Sequence, residues 1–470
     1  MTLSKVVLQN LKKVIADQNR LLVREEDLIS YGYDASFGFY RPDLVVQVLS
    51  AEETSAVIKL ANRYHIPVTP RGQASSLSGG PLPVKGGIVL DLSQWNQKLV
   101  IDSEDLVAIV SPGVITASID KAAAAYGLMY APDPGSSHFS TIGGNLAENS
   151  GGPRCLKYGV TKDYVIGLEV VTPQGDIIHT GGRTVKNVSG YDLTKLIVGS
   201  EGTLGIITEA ILRLVPRPPA MRTLMISFNH LVDSAHMVTK ILTSGILPSK
   251  IEMMDQASIQ AVEAYRPLGL PIDCEAILLV QLDGHPTAIH EEMLKIEEIA
   301  TALGAREVKD AATEETAADL WMARKLVSPA IVRKKPTKIS EDATVPRSKI
   351  PEFCQRLQHI KEKYKIDLVV FGHAGDGNLH PNIICDKRNK QEMKRVEQAI
   401  QAIFSAALEL GGTLSGEHGI GTMKSAFMTQ EFSQETLQMM ERIKQAWDPN
   451  HILNPGKIFP EPGAKLVLSE

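Results

Sequence analysis

A basic surplus, a cysteine cluster and any long apolar run are all missing from this chain of 470 residues. Lys and Arg number 49 against 54 Asp and Glu, a formal charge of −5, which argues against a general nucleic-acid binder, since that function shows as a basic stripe. The one locally basic run, Arg333 to Lys338 (RKKPTK), reads as a solvated loop. Cys155, Cys274, Cys354 and Cys385 stand far apart with no CxxC pair, arguing against an iron–sulfur cluster or an all-cysteine zinc site within the chain. Apolar runs such as Ala276–Val280 fall far short of the roughly 18 residues that a transmembrane segment needs. The N-terminus reads as an amphipathic helix, with Leu3, Val7, Leu11 and Val14 facing one way, rather than a signal peptide. A cytoplasmic protein is therefore expected, one that meets a membrane only through a partner. Also absent is a GxGxxG following a strand, which disfavours a nicotinamide dehydrogenase of the Rossmann type.

What is present begins with alternation. Strands are predicted over 44–48, 66–69, 87–91 and 106–110 and helices over 51–64 and 116–126, a pattern that suggests an α/β domain. The prolines of Val215-Pro-Arg-Pro-Pro219 stop regular structure and mark a boundary. A second α/β segment follows, with strands over 222–228, 276–282 and 367–371 and helices over 232–244, 286–303 and 311–333. Glycines return at Gly416, Gly419 and Gly421, and the chain closes on Asn454-Pro-Gly456. The expected division is 1–218, 219–414 and 415–470, in keeping with the two to three domains that this length suggests.

Three glycine-rich loops stand out. Pro70-Arg-Gly-Gln-Ala-Ser-Ser-Leu-Ser-Gly-Gly80 follows a strand directly. Small residues and hydroxyls packed in this way let backbone amides approach an anion and cradle phosphate. Pro132-Asp-Pro-Gly-Ser-Ser137 leads into Thr141-Ile-Gly-Gly-Asn145 and Ser150-Gly-Gly152, and Gly199-Ser-Glu-Gly-Thr-Leu-Gly-Ile206 precedes a strand-like run. Any one of them could be an ordinary turn cluster. Three together are hard to explain so, because each glycine costs backbone entropy on folding.

A second kind of pattern lies in Val369-Val-Phe-Gly-His-Ala-Gly-Asp-Gly-Asn-Leu-His-Pro-Asn-Ile383. Asp-Gly between apolar runs is a strong hairpin signal. With Asp376 and Gly377 as the two turn residues, His373 would pair with His380, and Asn382 would share their face. Two imidazoles so placed can share one divalent metal; the bland alternative is histidines satisfied by backbone partners in a turn. Ser415-Gly-Glu-His-Gly419 adds the carboxylate of Glu417 and the ring of His418. Leu320-Trp-Met-Ala-Arg-Lys325 offers Arg324, whose guanidinium fork suits a carboxylate, although a surface arginine on an amphipathic helix would look the same.

Taken together, these stretches resemble the vanillyl-alcohol-oxidase type of FAD enzyme over about residues 20–460. Within it they fall in the branch of glycolate oxidase FAD subunits, D-lactate dehydrogenases and D-2-hydroxyglutarate dehydrogenases, nearest the first. The resemblance implies a mixed α+β and α/β architecture: a two-subdomain FAD-binding domain (1–218), an α/β cap for substrate (219–414) and a C-terminal segment (415–470) returning to the flavin. It implies FAD held by Pro70, Arg71, Gly72, Ser75, Ser76, Leu77, Ser78 and Gly79. Pro134, Gly135, Thr141, Gly143, Gly144, Asn145, Ala147, Ser150, Gly151 and Gly152 join them, then Glu201, Gly205, Ile206 and Ile207, with Asn454 by the isoalloxazine. Ser75 stands where several relatives tether FAD through a histidine, so the FAD is expected to be non-covalent.

In the hydroxyglutarate and lactate branch, positions matching His373, His380 and Glu417 ligate one metal, and zinc and manganese both suit such a set. The position matching His418 is the base, with an ordinary histidine pKa of about 6.5; Asn382 matches a substrate contact, and Arg324 a grip on the substrate carboxylate. Ser328 replaces a threonine that helps hold a second carboxylate. Lys338 lies near a lysine position that counting back from Pro346 gives to Ser340. A monocarboxylate such as glycolate or D-lactate is accordingly favoured, with D-2-hydroxyglutarate as the alternative. The implied reaction takes a small 2-hydroxy acid to the 2-oxo acid by hydride transfer to flavin N5. Electrons would pass to an iron–sulfur subunit, a quinone or an electron-transfer flavoprotein. A non-redox flavin transferase resembling alkyl-glycerone-phosphate synthase would need phosphate-binding basic residues in the cap. A redox-dead partner subunit would have no reason to keep the His/His/Glu/His set.

Overall fold

Ser4 caps the first helix, Lys5–Val14, by accepting from the Val7 amide, and Val7 and Leu11 turn into the core. The structure is a computed structural model that describes residues 4–461; Leu3, assigned to the same apolar face, lies outside the described residues. Leu44–Gln47, Ile88–Asp91 and Val68–Arg71 form parallel pairs, with Leu21–Leu22 added antiparallel at one edge. The helix Ala51–Arg63 covers this sheet through Val57, Ile58 and Ala61. A five-stranded antiparallel sheet follows, in the order Leu99–Asp102, Val107–Val110, Ile206–Arg213, Val165–Val171, Ile177–Gly181. The proline-dense boundary is not devoid of regular structure. Val215–Pro216 pairs with Leu128–Met129 as a two-stranded ribbon, since proline is tolerated in a strand where its missing N–H is not needed.

Beyond residue 219 the second sheet is antiparallel throughout. Its order is Glu307–Asp310, Ala220–Phe228, Ala276–Gly284, Lys250–Asp255, Asp367–His373, Asn378–Cys385, Thr337–Ser340, with Ala343–Thr344 also pairing the sixth strand. Strands and helices alternate here, an order that often pairs neighbouring strands in parallel. The chain instead inserts Ala276–Gly284 between Ala220–Phe228 and Lys250–Asp255, so a strand–helix–strand unit is split by a neighbour. Both faces are covered. Leu224, Ile226, Ile251, Met253, Leu278 and Val280 pack with the helices Leu231–Thr243, Pro286–Ala302, Ile350–Tyr364 and Lys390–Glu409. Met225, Met254, Ile277, Leu279, Val369 and Phe371 pack with Gln256–Tyr265 and Glu314–Ile331.

Period-two alternation decides which face carries the polar residues. Glu252 shares its face with Met254, and His373 with Phe371 and Val369. These polar groups therefore stand at the end of the face covered by the helix Glu314–Ile331. On that helix Trp321, Arg324, Lys325 and Ser328 recur at helical spacing and line one side of a cavity. The basic run is only partly the solvated loop expected. Thr337–Ser340 is a strand, Lys335 pairs with Asp367 and Glu392, and Lys338 is half-buried with Nζ 2.6 Å from Ser328 Oγ.

Candidate active site

One cavity of about 780 Å³ is lined by all three glycine loops, the helix 314–331, the histidine hairpin and the Glu417–His418 segment. Of the residues singled out in sequence, Ser78, Gly79, Gly152 and Asn382 do not reach its lining; the others do. Ser78 and Gly79 tie the first loop to its surroundings, the Ser78 carbonyl accepting from the amides of Thr422 and Met423 and the Gly79 amide donating to Asp34. At Gly152, φ is +154° and any Cβ would meet the Asp133 carbonyl at 2.1 Å, so that position is reserved for glycine by a close backbone approach. Asn382 is buried in the hairpin's second strand, on the face of His380, its Nδ2 donating to the His380 carbonyl.

Several lining residues brace the loops rather than present polar atoms. Arg71 directs its guanidinium at the carbonyls of Ser30, Tyr31 and Tyr33. Asn145 is engaged by Thr116, Ser140 and Ser150. Asn454 donates to the carbonyls of Gly80 and Glu201 and accepts from Lys457, so it clamps the first loop to the third. The amides of Gln73 to Leu77 donate to no acceptor among the described residues, and Ala74 is left-handed at φ 52°. A run of free amides on a cavity wall suits an anionic cofactor such as the pyrophosphate of a dinucleotide.

The hairpin register differs from the one expected. His373 pairs with Asn378, and His380 lies opposite Phe371. The turn holds four residues, Ala374 to Gly377, and Asp376-Gly377 ends it instead of forming its centre. The shift is by two residues, an even number, so both histidines keep the same face as diagonal neighbours. Their rings meet edge-on at 5.0 Å. Glu417 Oε1 lies 3.2 Å from His373 Nε2 and 3.3 Å from His380 Nε2. One atom from each residue falls within 4.8 Å of the others, a spacing that could hold a metal ion. His418 stacks on His380 at 5.2 Å with the ring planes 5° apart. Burial pushes His418 down to about 4, below the ordinary value expected, so its ring is neutral at physiological pH. Burial would raise the Glu417 carboxyl, but His373 and His380 beside it together outweigh this and hold it well below the usual carboxylate range.

Two residues that sequence reasoning missed organise this set. Glu252, fully buried, accepts from Arg324 Nε at 2.7 Å and lies 2.5 Å from His373 Nδ1. Its signal was visible, an acid in a strand whose neighbours Ile251, Met253 and Met254 are core residues; acids are almost never fully buried unless paired. Asp342 Oδ2 accepts from the amides of Gly416, Glu417 and His418 at 2.9, 3.0 and 2.9 Å and from Ser415 Oγ at 2.8 Å. It thereby fixes the backbone that carries Glu417 and His418. With Nε held by Glu252, the two Nη groups of Arg324 donate to no acceptor among the described residues. Its guanidinium carbon sits over the Phe371 ring, 4.6 Å from the centroid, a cation–π contact.

Comparison with known proteins shows the family. Residues 42–181 match the FAD binding domain family and residues 217–458 the C-terminal domain of FAD linked oxidases. The chain is 47% identical over 441 residues to the glycolate oxidase subunit GlcD of Bacillus subtilis, covering 94% of each. It is 36% identical over 451 residues to a D-lactate dehydrogenase of Anaerostipes hadrus, covering 93% of this chain and 94% of that one. A solved p-cresol methylhydroxylase superposes with a TM-score of 0.82 at 18% identity, covering 96% of each chain, a likeness of fold. The chain belongs to the FAD-linked oxidase family and has the vanillyl-alcohol-oxidase type of fold.

Proposed function

We propose that this enzyme oxidises a small 2-hydroxy monocarboxylate, glycolate or D-lactate, to the 2-oxo acid in the cavity between the glycine loops and the histidine hairpin. The observation that carries the reading is the convergence of His373 Nε2 and His380 Nε2 on one oxygen of Glu417, in a cavity also lined by the unfilled fork of Arg324. The names of the relatives support it. Two imidazoles and a carboxylate fit zinc or manganese by donor type, and the free amides of the first loop fit the FAD phosphates. Bound FAD supplies the hydride acceptor, and a divalent metal at the three ligands supplies a Lewis acid that lowers the substrate hydroxyl pKa.

The chain's own residues do the rest. Arg324 takes the carboxylate through its two Nη groups, which fixes the orientation of C2. His418, neutral and beside the ligand set, accepts the hydroxyl proton. Ser328, Lys338 and Ser340 line the cavity near Arg324 and bound the space left for the substituent on C2. Asn382 stays outside the cavity lining and acts through its hydrogen bond to the His380 carbonyl. The four cysteines are free and dispersed, so reduced flavin passes its electrons to a separate acceptor, an iron–sulfur subunit, a quinone or an electron-transfer flavoprotein. Among the described residues no helix is long and apolar enough to cross a membrane.

Anaerobic addition of glycolate, D-lactate, L-lactate and D-2-hydroxyglutarate, each alone, tests the reaction by flavin absorbance. Bleaching by glycolate or D-lactate is expected. No bleaching by any 2-hydroxy acid would sink the proposal in favour of a non-redox flavin transferase or an inactive subunit. The same preparation tests the FAD linkage, since Ser75 cannot form a histidyl–flavin bond. All the flavin is expected in the supernatant after acid precipitation, and flavin retained on the pellet would refute non-covalent binding.

A further inference from the structure

Glu252 connects two parts of the site that have separate tasks. It sits on the strand Lys250–Asp255, directly opposite His373 in the antiparallel register, and its side chain is wholly excluded from solvent. One carboxylate oxygen meets His373 Nδ1 at 2.5 Å and the other accepts from Arg324 Nε at 2.7 Å. No other acceptor among the described residues holds either group. We propose that Glu252 is a positioning residue that sets the metal ligand and the carboxylate clamp together, so that the two sites are spaced by one side chain. The inference rests on the function proposed above.

The physical case is short. A histidine binds metal through the nitrogen that is not protonated, and a carboxylate on the opposite nitrogen fixes that tautomer and the ring angle. With Nδ1 taken by Glu252, Nε2 is the nitrogen left for a metal, and it lies on the side of Glu417 Oε1. For Arg324, engaging Nε turns the two Nη groups outward as a pair, the edge that takes a carboxylate bidentately. The guanidinium carbon lies over the Phe371 ring at 4.6 Å from its centroid, and the bond to Glu252 sets which edge of the fork turns outward. A substrate whose hydroxyl and carboxylate are on adjacent carbons needs those two sites at one fixed separation. A carboxylate touching both supplies that separation with no intervening flexible element.

Glu252→Gln tests this. Gln is isosteric but has one oxygen, so it can accept from only one of the two N–H donors and sets its own NH₂ against the other. Zinc or manganese affinity, measured by chelator competition without substrate, is expected to fall about 10- to 100-fold. The KM for D-lactate or glycolate is expected to rise about tenfold or more, the loss of roughly one charge-assisted hydrogen bond. FAD content and Tm serve as controls for folding. Arg324→Lys should change only the carboxylate reading and His373→Ala mainly the metal reading; Glu252→Gln should change both. Should Glu252→Gln not fold, Glu252→Asp is read in the same way. It keeps the charge, but being one methylene shorter cannot span both partners, and both affinities should weaken. A variant that changes only one reading, or neither, overturns the inference while leaving the proposed function intact. Wild-type protein that binds no metal and is reduced by no 2-hydroxy acid overturns both.

Discussion

Replacing His373, His380 or Glu417 with alanine is expected to strip the divalent metal and slow substrate-driven flavin reduction by on the order of 10³-fold, while FAD stays bound. The size follows from the several kcal/mol of charge stabilisation that a Lewis acid supplies, each 1.36 kcal/mol being tenfold in rate. The sparing of FAD follows from where the groups sit. The free amides belong to residues 73–77, before the first antiparallel sheet, whereas the three candidate ligands lie on the hairpin and in the segment after the helix Lys390–Glu409. The backbone of Glu417 is held by Asp342 through main-chain amides, so Glu417→Ala removes the carboxylate without releasing the loop. Elemental analysis beside anaerobic stopped-flow reduction checks the claim. Active wild-type enzyme free of divalent metal would make these histidines structural, their closeness explained by Glu417 alone.

How much of this was legible in the sequence depended on whether a signal was local. The strands and helices predicted within 44–126, 222–244, 276–333 and 367–371 could be read because their apolar periods are local, whereas Leu99–Asp102, Lys250–Asp255, Gln256–Tyr265 and Ile350–Tyr364 were not marked. The glycine loops and the His-x₆-His spacing likewise mark themselves. Register was less accessible. Asp376-Gly377 has the chemistry of a two-residue turn, yet Gly377 lies against the Val345 carbonyl, where a Cβ would approach to 2.1 Å. That close approach comes from the segment just after the strand Ala343–Thr344 and not from the hairpin. Glu252 and Asp342 could be suspected as acids in apolar surroundings, but their side-chain partners are 72 to 121 and 36 to 82 residues away, and no local pattern specifies such pairs. Lys338 shows the same limit from the other side. A basic run usually means solvent, and here the sheet turned one of its lysines into a cavity. His418 could be given a role but not a proton affinity, because its shift comes from burial, which only the folded chain defines.

Arg324→Lys and His418→Asn should fail in different ways, although both would look inactive in a fixed-time assay. Removing the Arg324 charge altogether would leave Glu252 buried with only His373 beside it, a loss that costs about 3–5 kcal/mol when one partner of a buried pair is deleted. Alanine would therefore confuse folding with binding. Lysine keeps the charge for Glu252 and loses the fork, so the substrate carboxylate loses its bidentate partner. KM should rise by on the order of 10- to 100-fold, given about 1.5–3 kcal/mol for a hydrogen bond to a charged group, and kcat should fall less. His418→Asn leaves the backbone amide of residue 418 on Asp342, because that contact is main-chain, and leaves the three candidate metal ligands in place. Substrate binding should persist, with the reduction rate lower by on the order of 10²–10⁴-fold, the range for losing a general base. Stopped-flow reduction across substrate concentration separates the two, Arg324→Lys shifting the half-saturation point and His418→Asn the plateau. A plateau at the wild-type rate in His418→Asn would mean that another group takes the proton, and the stacking of His418 on His380 would then be its contribution to the site.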